Sequence, residues 1–278
     1  MTFDLQSITS TAATFAPQKI LAYGVQGLGK TTFGCTFEKP ILLRIEDGAA
    51  ALDVPTFPKL IESYGELMEA MTALHNQEHD FKTLVLDSLD WLEPIVWAMT
   101  VSRINADRER HVESIEGVGY GKGYVEADAD WRNVMGWLDA LRLNRGMTIV
   151  LIAHAEVKNF SPPDGDPYDR YQIKLHKRAW ALWQEWADMV LFANYRRRTI
   201  KTKDGGPKGE SKFRADGTGE RCLFTEERPA YLAKNRWGLP HEILIGQDKT
   251  WRAFHEALQQ ATGGRYQLPS NFNSKEAA

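Results

Sequence analysis

Short apolar runs alternate along the chain with longer segments in which apolar residues recur at helical spacing. The short runs predict five buried strands, at 19–23, 41–45, 83–87, 148–153 and 189–193. The longer segments predict helices after the first strand and around 63–77, 89–105, 129–145 and 251–261. Strands that alternate with helices in this way are typical of a parallel sheet covered on both faces. We therefore expect the α/β class, with a mostly parallel sheet flanked by helices.

Three intervals break this alternation. Residues 107–126 are charged and then glycine-rich, and residues 156–178 hold a proline- and glycine-rich turn, so both are predicted to be loops. Residues 195–225 predict a β-hairpin extension at the carboxy-terminal side of the sheet, with its turn at Gly205-Gly206-Pro207. The expected domain limits are an N-terminal arm at 1–17, one domain at 18–265 and a flexible tail at 266–278.

Composition narrows the range of partners. The 278 residues carry a net charge of −3 and 43% hydrophobic residues, which excludes a protein that is basic throughout and coats nucleic acid by bulk charge. Two widely spaced cysteines and the absence of a signal-peptide pattern favour the cytoplasm. The longest apolar run is far shorter than the ~20 residues that a membrane span needs, so no membrane association is expected.

The glycine-rich turn after the first strand matches the phosphate-binding pattern GxxxxGK[ST] from Gly24 to Thr31. Its glycines let backbone N–H groups surround a phosphate, Lys30 supplies a charge to the β- and γ-phosphates, and the Thr31 hydroxyl coordinates Mg²⁺. The helix that begins near Lys30 adds the positive end of its dipole. We therefore predict a nucleoside triphosphate site made by Gly24, Val25, Gln26, Gly27, Leu28, Gly29, Lys30, Thr31 and Thr32.

Two acids at strand ends are candidates for the remaining chemistry. Asp87 ends the strand at 83–87 and is the candidate Mg²⁺ ligand, although it could instead cap the helix that follows. Glu46 follows the strand at 41–45, on the edge of the sheet where the phosphate loop is expected. It is the candidate base that orients and deprotonates water, and the alternative is an ordinary loop acid or helix cap.

Several segments resemble the RecA-type recombinase ATPases, in particular the phage RecA-like nucleotide-binding proteins often described as AAA-family ATPases. IEDGAAALD at 45–53 is similar to the segment that carries the catalytic glutamate, which implies Glu46 as the base. TLVLDSLDWL at 83–92 resembles their Walker-B strand, and LIAHAE at 151–156 resembles the strand that ends in the γ-phosphate sensor. The resemblance covers most of 18–245. It implies a RecA-like P-loop core that hydrolyses ATP with Mg²⁺, stimulated by DNA.

The resemblance also implies residues that touch the γ-phosphate. The sensor of these proteins is usually glutamine, and the matching position here is His154, which could otherwise be a satisfied buried histidine. YLAKNRWGLP at 231–240 resembles a stretch with two basic residues that reach a neighbouring subunit's γ-phosphate like arginine fingers. Lys234 and Arg236 match them, and on a strand they would point the same way. Without the resemblance they are simply surface charges.

DNA contacts are expected at three places. The intervals 107–126 and 156–178 correspond to the two DNA-facing loops of the RecA-like proteins, although they could also be mobile surface loops or subunit contacts. Residues 196–221 form a basic ribbon with a net charge of +5, against −8 for the rest of the chain, and the alternative is a solvated hairpin face. The candidate DNA-binding residues are Tyr120, Lys122, Tyr124, Lys174, Lys177, Arg178, Arg196, Arg197, Arg198, Lys201 and Lys203.

The expected function is that of an ATP-dependent, single-stranded-DNA-binding ATPase in phage DNA recombination or annealing. Nucleotide would control its assembly into a ring or filament of identical subunits in the host cytoplasm. A phage single-strand-binding protein is a further candidate partner. Two alternatives remain open at this point: a helicase-like or packaging motor, and a nucleotide-dependent switch that binds a protein.

Overall fold

The computed structural model describes residues 15–49, 52–106, 111–203, 211–246 and 250–273, with the backbone alone at 197–203, 211–218 and 273. The strands are β1 Lys19–Gly24, β2 Pro40–Arg44, β3 Thr83–Asp87, β4 Thr148–Phe160, β5 Tyr168–Ile173, β6 Met189–Lys203, β7 Ser211–Phe224 and β8 Glu242–Ile245. The helices are α1 Lys30–Cys35, α2 Tyr64–Asn76, α3 Leu89–Ala106, α4 Lys122–Arg145, α5 Lys177–Trp186, α6 Arg252–Ala261 and α7 Ser270–Asn273.

All eight strands join one sheet with the order β2-β3-β4-β1-β6-β7-β8, and β5 pairs with the outer part of β4. The strands β2, β3, β4, β1 and β6 are parallel, whereas β7, β8 and β5 are antiparallel to their neighbours. Gly24, at the end of β1, pairs with His154 on one side and Ala193 on the other. The carboxyl ends of the parallel strands thus meet at one edge of the sheet.

Successive strand residues point to opposite sides of the sheet, and here both sides carry buried apolar residues. Helices therefore cover both faces of the sheet. On one face, Tyr23 and Leu86 belong to a core that includes buried residues of α2, α3, α4 and α5, such as Trp131. On the other face, Val85 packs with Phe33 of α1 and with α6. The predicted fold class is therefore confirmed: an α/β P-loop core with a mostly parallel sheet and a C-terminal β-hairpin.

Both predicted loop intervals contain regular structure, so the loop predictions for 107–126 and 156–178 are wrong in part. Helix α4 begins at Lys122, seven residues earlier than expected. Strand β4 runs on to Phe160 and pairs with β5, and α5 begins at Lys177. The exposed residues of this β4–β5 hairpin do not need an apolar pattern, and for that reason the hydrophobic pattern did not reveal them.

The two ends of the described chain pack against the domain. The Phe15 ring lies 5.0 Å from that of Trp237, within the predicted arm at 1–17. Tyr266 contacts His255 through its hydroxyl, and Phe272 is buried. Residues 266–272 therefore differ from the flexible tail that we expected. The remainder of the arm and of the tail lies outside the described residues.

No helix within the described ranges is both long and apolar enough to cross a membrane.

Candidate nucleotide-binding site

The phosphate loop connects β1 to α1 and has the strand–loop–helix context that its sequence predicted. A Cβ atom on Gly24 would lie 2.1 Å from the carbonyl oxygen of Ala193, so the close approach of β1 to β6 requires glycine. Gly29 has a φ of 85°, a left-handed conformation that favours glycine immediately before the helix. The Lys30 ammonium donates to the carbonyl oxygen of Val25 at 3.0 Å. These contacts hold the loop in a curved form suited to a phosphate.

Thr31 and Asp87, the two predicted Mg²⁺ ligands, are in direct contact. The Thr31 hydroxyl donates to Oδ2 of Asp87 at 2.6 Å, across 56 residues of sequence. Burial raises the pKa of Asp87, while this hydrogen bond and the charge of Lys30 oppose the rise. Burial likewise lowers the pKa of Lys30, and the Asp87, Asp90 and Glu46 carboxyls oppose that change. Lys30, Thr31 and Asp87 therefore lie close enough for their charges and hydrogen bonds to affect one another.

The carboxyls around Asp87 suit a divalent cation. Oδ1 of Asp87 is buried and has no hydrogen-bond partner among the described residues. Burial, followed by the nearby charge of Asp87, raises the pKa of Glu46. The carboxyls of Asp87 and Glu46 are neighbours, and Asp87 has one buried oxygen without a partner among the described residues. Carboxylate oxygens are the ligands that Mg²⁺ prefers. Thr31 and Asp87 would hold the ion, which supplies charge neutralisation for the phosphates.

Glu46 and His154 line the same open cavity, of about 320 Å³, together with Lys30, Thr31 and Asp87. Nε2 of His154 lies 3.9 Å from Oε1 of Glu46. Glu46 follows β2, and His154 lies where the parallel part of β4 ends, so the sheet brings both to the phosphate loop. The structure thus gathers the candidate base, sensor and metal ligands at one edge.

Asp90, which the sequence did not single out as a site residue, holds His154 in place. Its carboxylate accepts the backbone N–H of His154 at 3.0 Å and contacts Nδ1 of the ring at 3.0 Å. Burial tends to raise the pKa of Asp90, but the hydrogen bonds from His154 outweigh it and keep that pKa below its ordinary value. Asp90 is three residues beyond Asp87, in the first turn of α3, and this spacing is the signal that could have revealed it.

Glu93, one turn further along α3, is also absent from the sequence prediction. Both of its carboxyl oxygens contact the backbone N–H of His176, at 2.9 and 3.1 Å, at the N-terminus of α5. Burial raises the pKa of Glu93 to about 7. The His176 ring stacks on Tyr124, with centroids 3.8 Å apart. Helix α3 therefore links the neighbourhood of the sensor to both intervals that were predicted to face DNA.

Apart from the ion-paired Arg178, four of the predicted DNA-binding residues are exposed. They lie near the N-termini of α4 and α5, which are on the carboxyl side of the sheet, the side of the phosphate loop. Tyr120 is fully exposed. The exposed set consists of Tyr120, Lys122, Lys174 and Lys177.

Other predicted DNA contacts are engaged within the chain. The Tyr124 hydroxyl donates to Glu116 at 2.6 Å, in addition to the stacking of its ring. Arg178 forms an ion pair with Asp128, and Arg196 forms one with Glu242 at 2.8 Å. Tyr124, Arg178 and Arg196 would therefore have to exchange these contacts in order to bind DNA, and their predicted role stays a prediction. The side chains of Arg197, Arg198, Lys201 and Lys203 lie outside the described part of the structure.

Lys234 and Arg236 lie at the opposite edge of the sheet, beside the beginning of β6. They are not on a strand as expected, because only Lys234 forms a bridge, with Val190. The Lys234 ammonium donates to carbonyls at the C-terminus of α5, and Arg236 pairs with Asp188 at 3.1 Å. Strand β1 separates this edge from the phosphate loop by about 17–20 Å. The pair therefore does not serve the phosphate loop of its own chain.

Fold and site together define a protein that binds a nucleoside triphosphate through a P-loop. The family model of the AAA domain matches residues 16–237, so the chain belongs to this family of P-loop ATPases. Among solved structures, the RadB recombinase crystal structure shares 13% sequence identity with the chain, with a TM-score of 0.42. That match covers 84% of this chain and 89% of the other. No curated protein matches the chain.

Proposed function

We propose that this protein is a Mg²⁺-dependent ATPase that binds single-stranded DNA and assembles with copies of itself. The observation that carries the proposal is the contact of Thr31 with Asp87 at 2.6 Å, with Glu46 and His154 around the same cavity. Lys30 and the loop bind the phosphates, and Thr31 and Asp87 hold Mg²⁺. Glu46 orients and deprotonates the attacking water, since its carboxyl is close to the expected γ-phosphate and its raised pKa favours proton uptake.

Phosphate release from ATP tests the enzymatic part. The wild-type protein is expected to hydrolyse ATP with Mg²⁺ and to lose this activity in EDTA. Lys30→Ala is expected to lower kcat/KM at least 100-fold, because it removes the buried cation of the loop. Lys82→Ala, an exposed lysine before β3, is the control and should leave the rate unchanged. Wild-type protein without hydrolysis, with or without single-stranded DNA, would refute the proposed activity.

DNA binding is proposed for the exposed group Tyr120, Lys122, Lys174 and Lys177, together with the basic hairpin. Lysines that contact phosphates and an exposed aromatic ring that stacks on a base suit a single strand. Fluorescence anisotropy with a labelled oligonucleotide is expected to show weaker binding for Lys174→Ala/Lys177→Ala and a smaller salt dependence. Lys59→Ala/Lys82→Ala removes the same charge elsewhere and should bind as wild type. Equal affinities of the two double variants would contradict this interface.

The recombination or annealing role, in a phage and hence in the host cytoplasm, is supported by the resemblance of segments 45–53 and 83–92. Annealing of complementary single strands with ATP, in the presence and absence of a phage single-strand-binding protein, is the expected activity. Unwinding of a duplex without annealing would instead favour the helicase-like motor. ATP-dependent binding of a protein partner without any DNA affinity would favour the switch.

Assembly is proposed because Lys234 and Arg236 lie far from the phosphate loop of their own chain, so that a role at a γ-phosphate requires a neighbouring subunit. Mixing of two inactive variants tests this directly: Lys30→Ala keeps the basic pair, and Arg236→Ala keeps the phosphate loop. If the pair acts across a subunit boundary, the mixture should regain part of the ATPase rate. Electron microscopy with an ATP analogue shows whether the mixture forms rings or filaments. If it does and the ATPase rate still does not recover, Lys234 and Arg236 do not act on a neighbouring subunit.

A further inference from the structure

Arg221, the last residue of the basic ribbon at 196–221, lies beside the phosphate loop. Arg221 in β7 pairs with Tyr195 in β6 and with Ile245 in β8. Strand β6 is also the neighbour of β1, where Ala193 pairs with Gly24. Tyr195 is two residues beyond Ala193, so the register places Arg221 just past the end of β1, level with the loop that follows Gly24.

The guanidinium of Arg221 reaches that loop. Its Nη1 atom lies 3.3 Å from the position that a Cβ atom on Gly29 would take. The side chain is half-buried and makes no hydrogen bond or ion pair with the part of the chain that the structure describes. By contrast, Arg196 on the neighbouring strand is paired with Glu242. Arg221 is thus an unneutralised cation held against a phosphate-binding turn.

The position of Arg221 in the sheet decides which phosphates it can meet. Glu46, Asp87 and His154 follow β2, β3 and β4, which all lie on one side of β1. Arg221 is in β7, on the other side of β1. The γ-phosphate belongs with the metal ligands and the base, so the other end of the phosphate chain is directed towards the side of Arg221.

We propose that Arg221 binds the α- and β-phosphates of the nucleotide in its own subunit and thereby fixes the β6–β7 hairpin against the occupied loop. This inference rests on the proposed nucleotide site and deepens it. Arginine suits the role because its planar fork donates two parallel hydrogen bonds to phosphate oxygens. Since ADP and ATP share these phosphates, the contact strengthens the binding of both and leaves the chemical step almost unchanged.

Nucleotide affinity and turnover distinguish this role from that of an arginine finger. Arg221→Ala is expected to weaken ADP and a non-hydrolysable ATP analogue by a similar factor, about 10- to 100-fold, measured by calorimetry. At saturating ATP, kcat should stay within about threefold of wild type. Arg221→Lys should retain part of the affinity. Arg228→Ala removes an exposed arginine that forms an ion pair with Glu226; it is the matched control and should bind as wild type.

Hydrogen exchange supplies a second measurement that does not depend on turnover. ADP is expected to slow exchange of the β7 backbone in wild-type protein and in Arg228→Ala, but not in Arg221→Ala. Arg221→Gln, which keeps a polar side chain but removes the charge and shortens the reach, replaces the alanine variant if the latter does not fold.

Two results would overturn the proposal. A kcat loss of 100-fold or more with unchanged ADP affinity would make Arg221 a γ-phosphate finger, and wild-type affinity together with wild-type protection would remove the contact altogether. If wild-type protein itself binds no nucleotide, the proposed function fails instead. That outcome is distinct, because it does not depend on any Arg221 variant.

Discussion

Nδ1 of His154 lies 3.0 Å from Oδ2 of Asp90, and the backbone N–H of His154 donates to the other oxygen of the same carboxylate. The pair joins the end of the parallel part of β4 to the first turn of α3. It directs Nε2 of His154 towards Glu46 and the nucleotide cavity. The contact with Asp90 therefore holds the His154 ring facing this cavity.

Replacement of Asp90 tests this orientation. Asp90→Asn keeps the size of the side chain but removes the charge that aligns the His154 ring. We expect kcat for ATP to fall about 10-fold, with little change in ATP affinity, because a positioning contact is lost and the phosphate loop is intact. Steady-state kinetics combined with calorimetry measure both quantities. Unaltered kcat in the variant would mean that His154 does not depend on Asp90.

Replacement of His154 itself tests the sensor role. The amide of glutamine donates a hydrogen bond without protonation, whereas alanine donates none. His154→Gln should therefore retain more ATPase activity than His154→Ala, by about 10-fold or more. Phosphate release measures the two rates side by side. Equal rates in the two variants would show that position 154 makes no donor contact with the nucleotide.

Glu46 offers a sharper test, since its neighbour is a matched control. Glu46→Gln cannot accept a proton from water, so kcat should fall about 100- to 10,000-fold while ATP still binds. Asp47→Asn changes an adjacent, exposed acid and should preserve turnover. Single-turnover hydrolysis and ATP binding separate the two effects. The assignment of Glu46 as base is lost if both variants hydrolyse ATP at the wild-type rate.

Glu93 predicts a specific dependence of stability on pH. Burial raises the pKa of its carboxyl from 4.5 to about 7, so the folded protein retains a proton that the unfolded chain releases. This contribution to stability is complete below about pH 4.5 and is lost as the pH rises to about 7. In the wild type, the free energy of unfolding should therefore fall by up to about 3 kcal/mol over this pH range because of Glu93. Glu93→Gln should remove this fall.

Urea unfolding at pH 5 and pH 8 measures the effect of Glu93. Glu69→Gln, an exposed acid on α2, serves as the control and should follow the wild-type pH profile. A glutamine variant at position 93 that parallels wild type at both pH values would disprove the prediction.

Lys234 has a structural role within its own subunit, whatever it does across a boundary. Its ammonium donates to the carbonyls of Gln184 and Ala187, where α5 ends. Lys234→Ala should therefore lower the free energy of unfolding by about 1–2 kcal/mol. Arg236→Ala, which breaks a more exposed pair with Asp188, should cost less than about 1 kcal/mol. A loss for Lys234→Ala below about 1 kcal/mol, no larger than that for Arg236→Ala, would show that the contacts of Lys234 with α5 do not stabilise the fold.

Local patterns were sufficient for much of the fold. The strand–loop–helix unit from Lys19 to Cys35 follows from an apolar run, glycines and a helix start, all within a few residues of one another. The hydrophobic pattern did not predict β5, because this strand is held by backbone pairing with β4 and not by an apolar face. It also failed at Lys234, because a single bridge to Val190 takes the place of a strand.

The sequence by itself determined the phosphate loop, the acids at the strand ends and the mostly parallel sheet. Each of these depends on residue type and local spacing, which folding does not change. Only the tertiary structure decided that Asp90 holds His154, that Glu93 caps the start of α5 and that Arg221 faces Gly29. Each of these contacts joins residues from different elements through sheet register or helix packing, which no local pattern specifies.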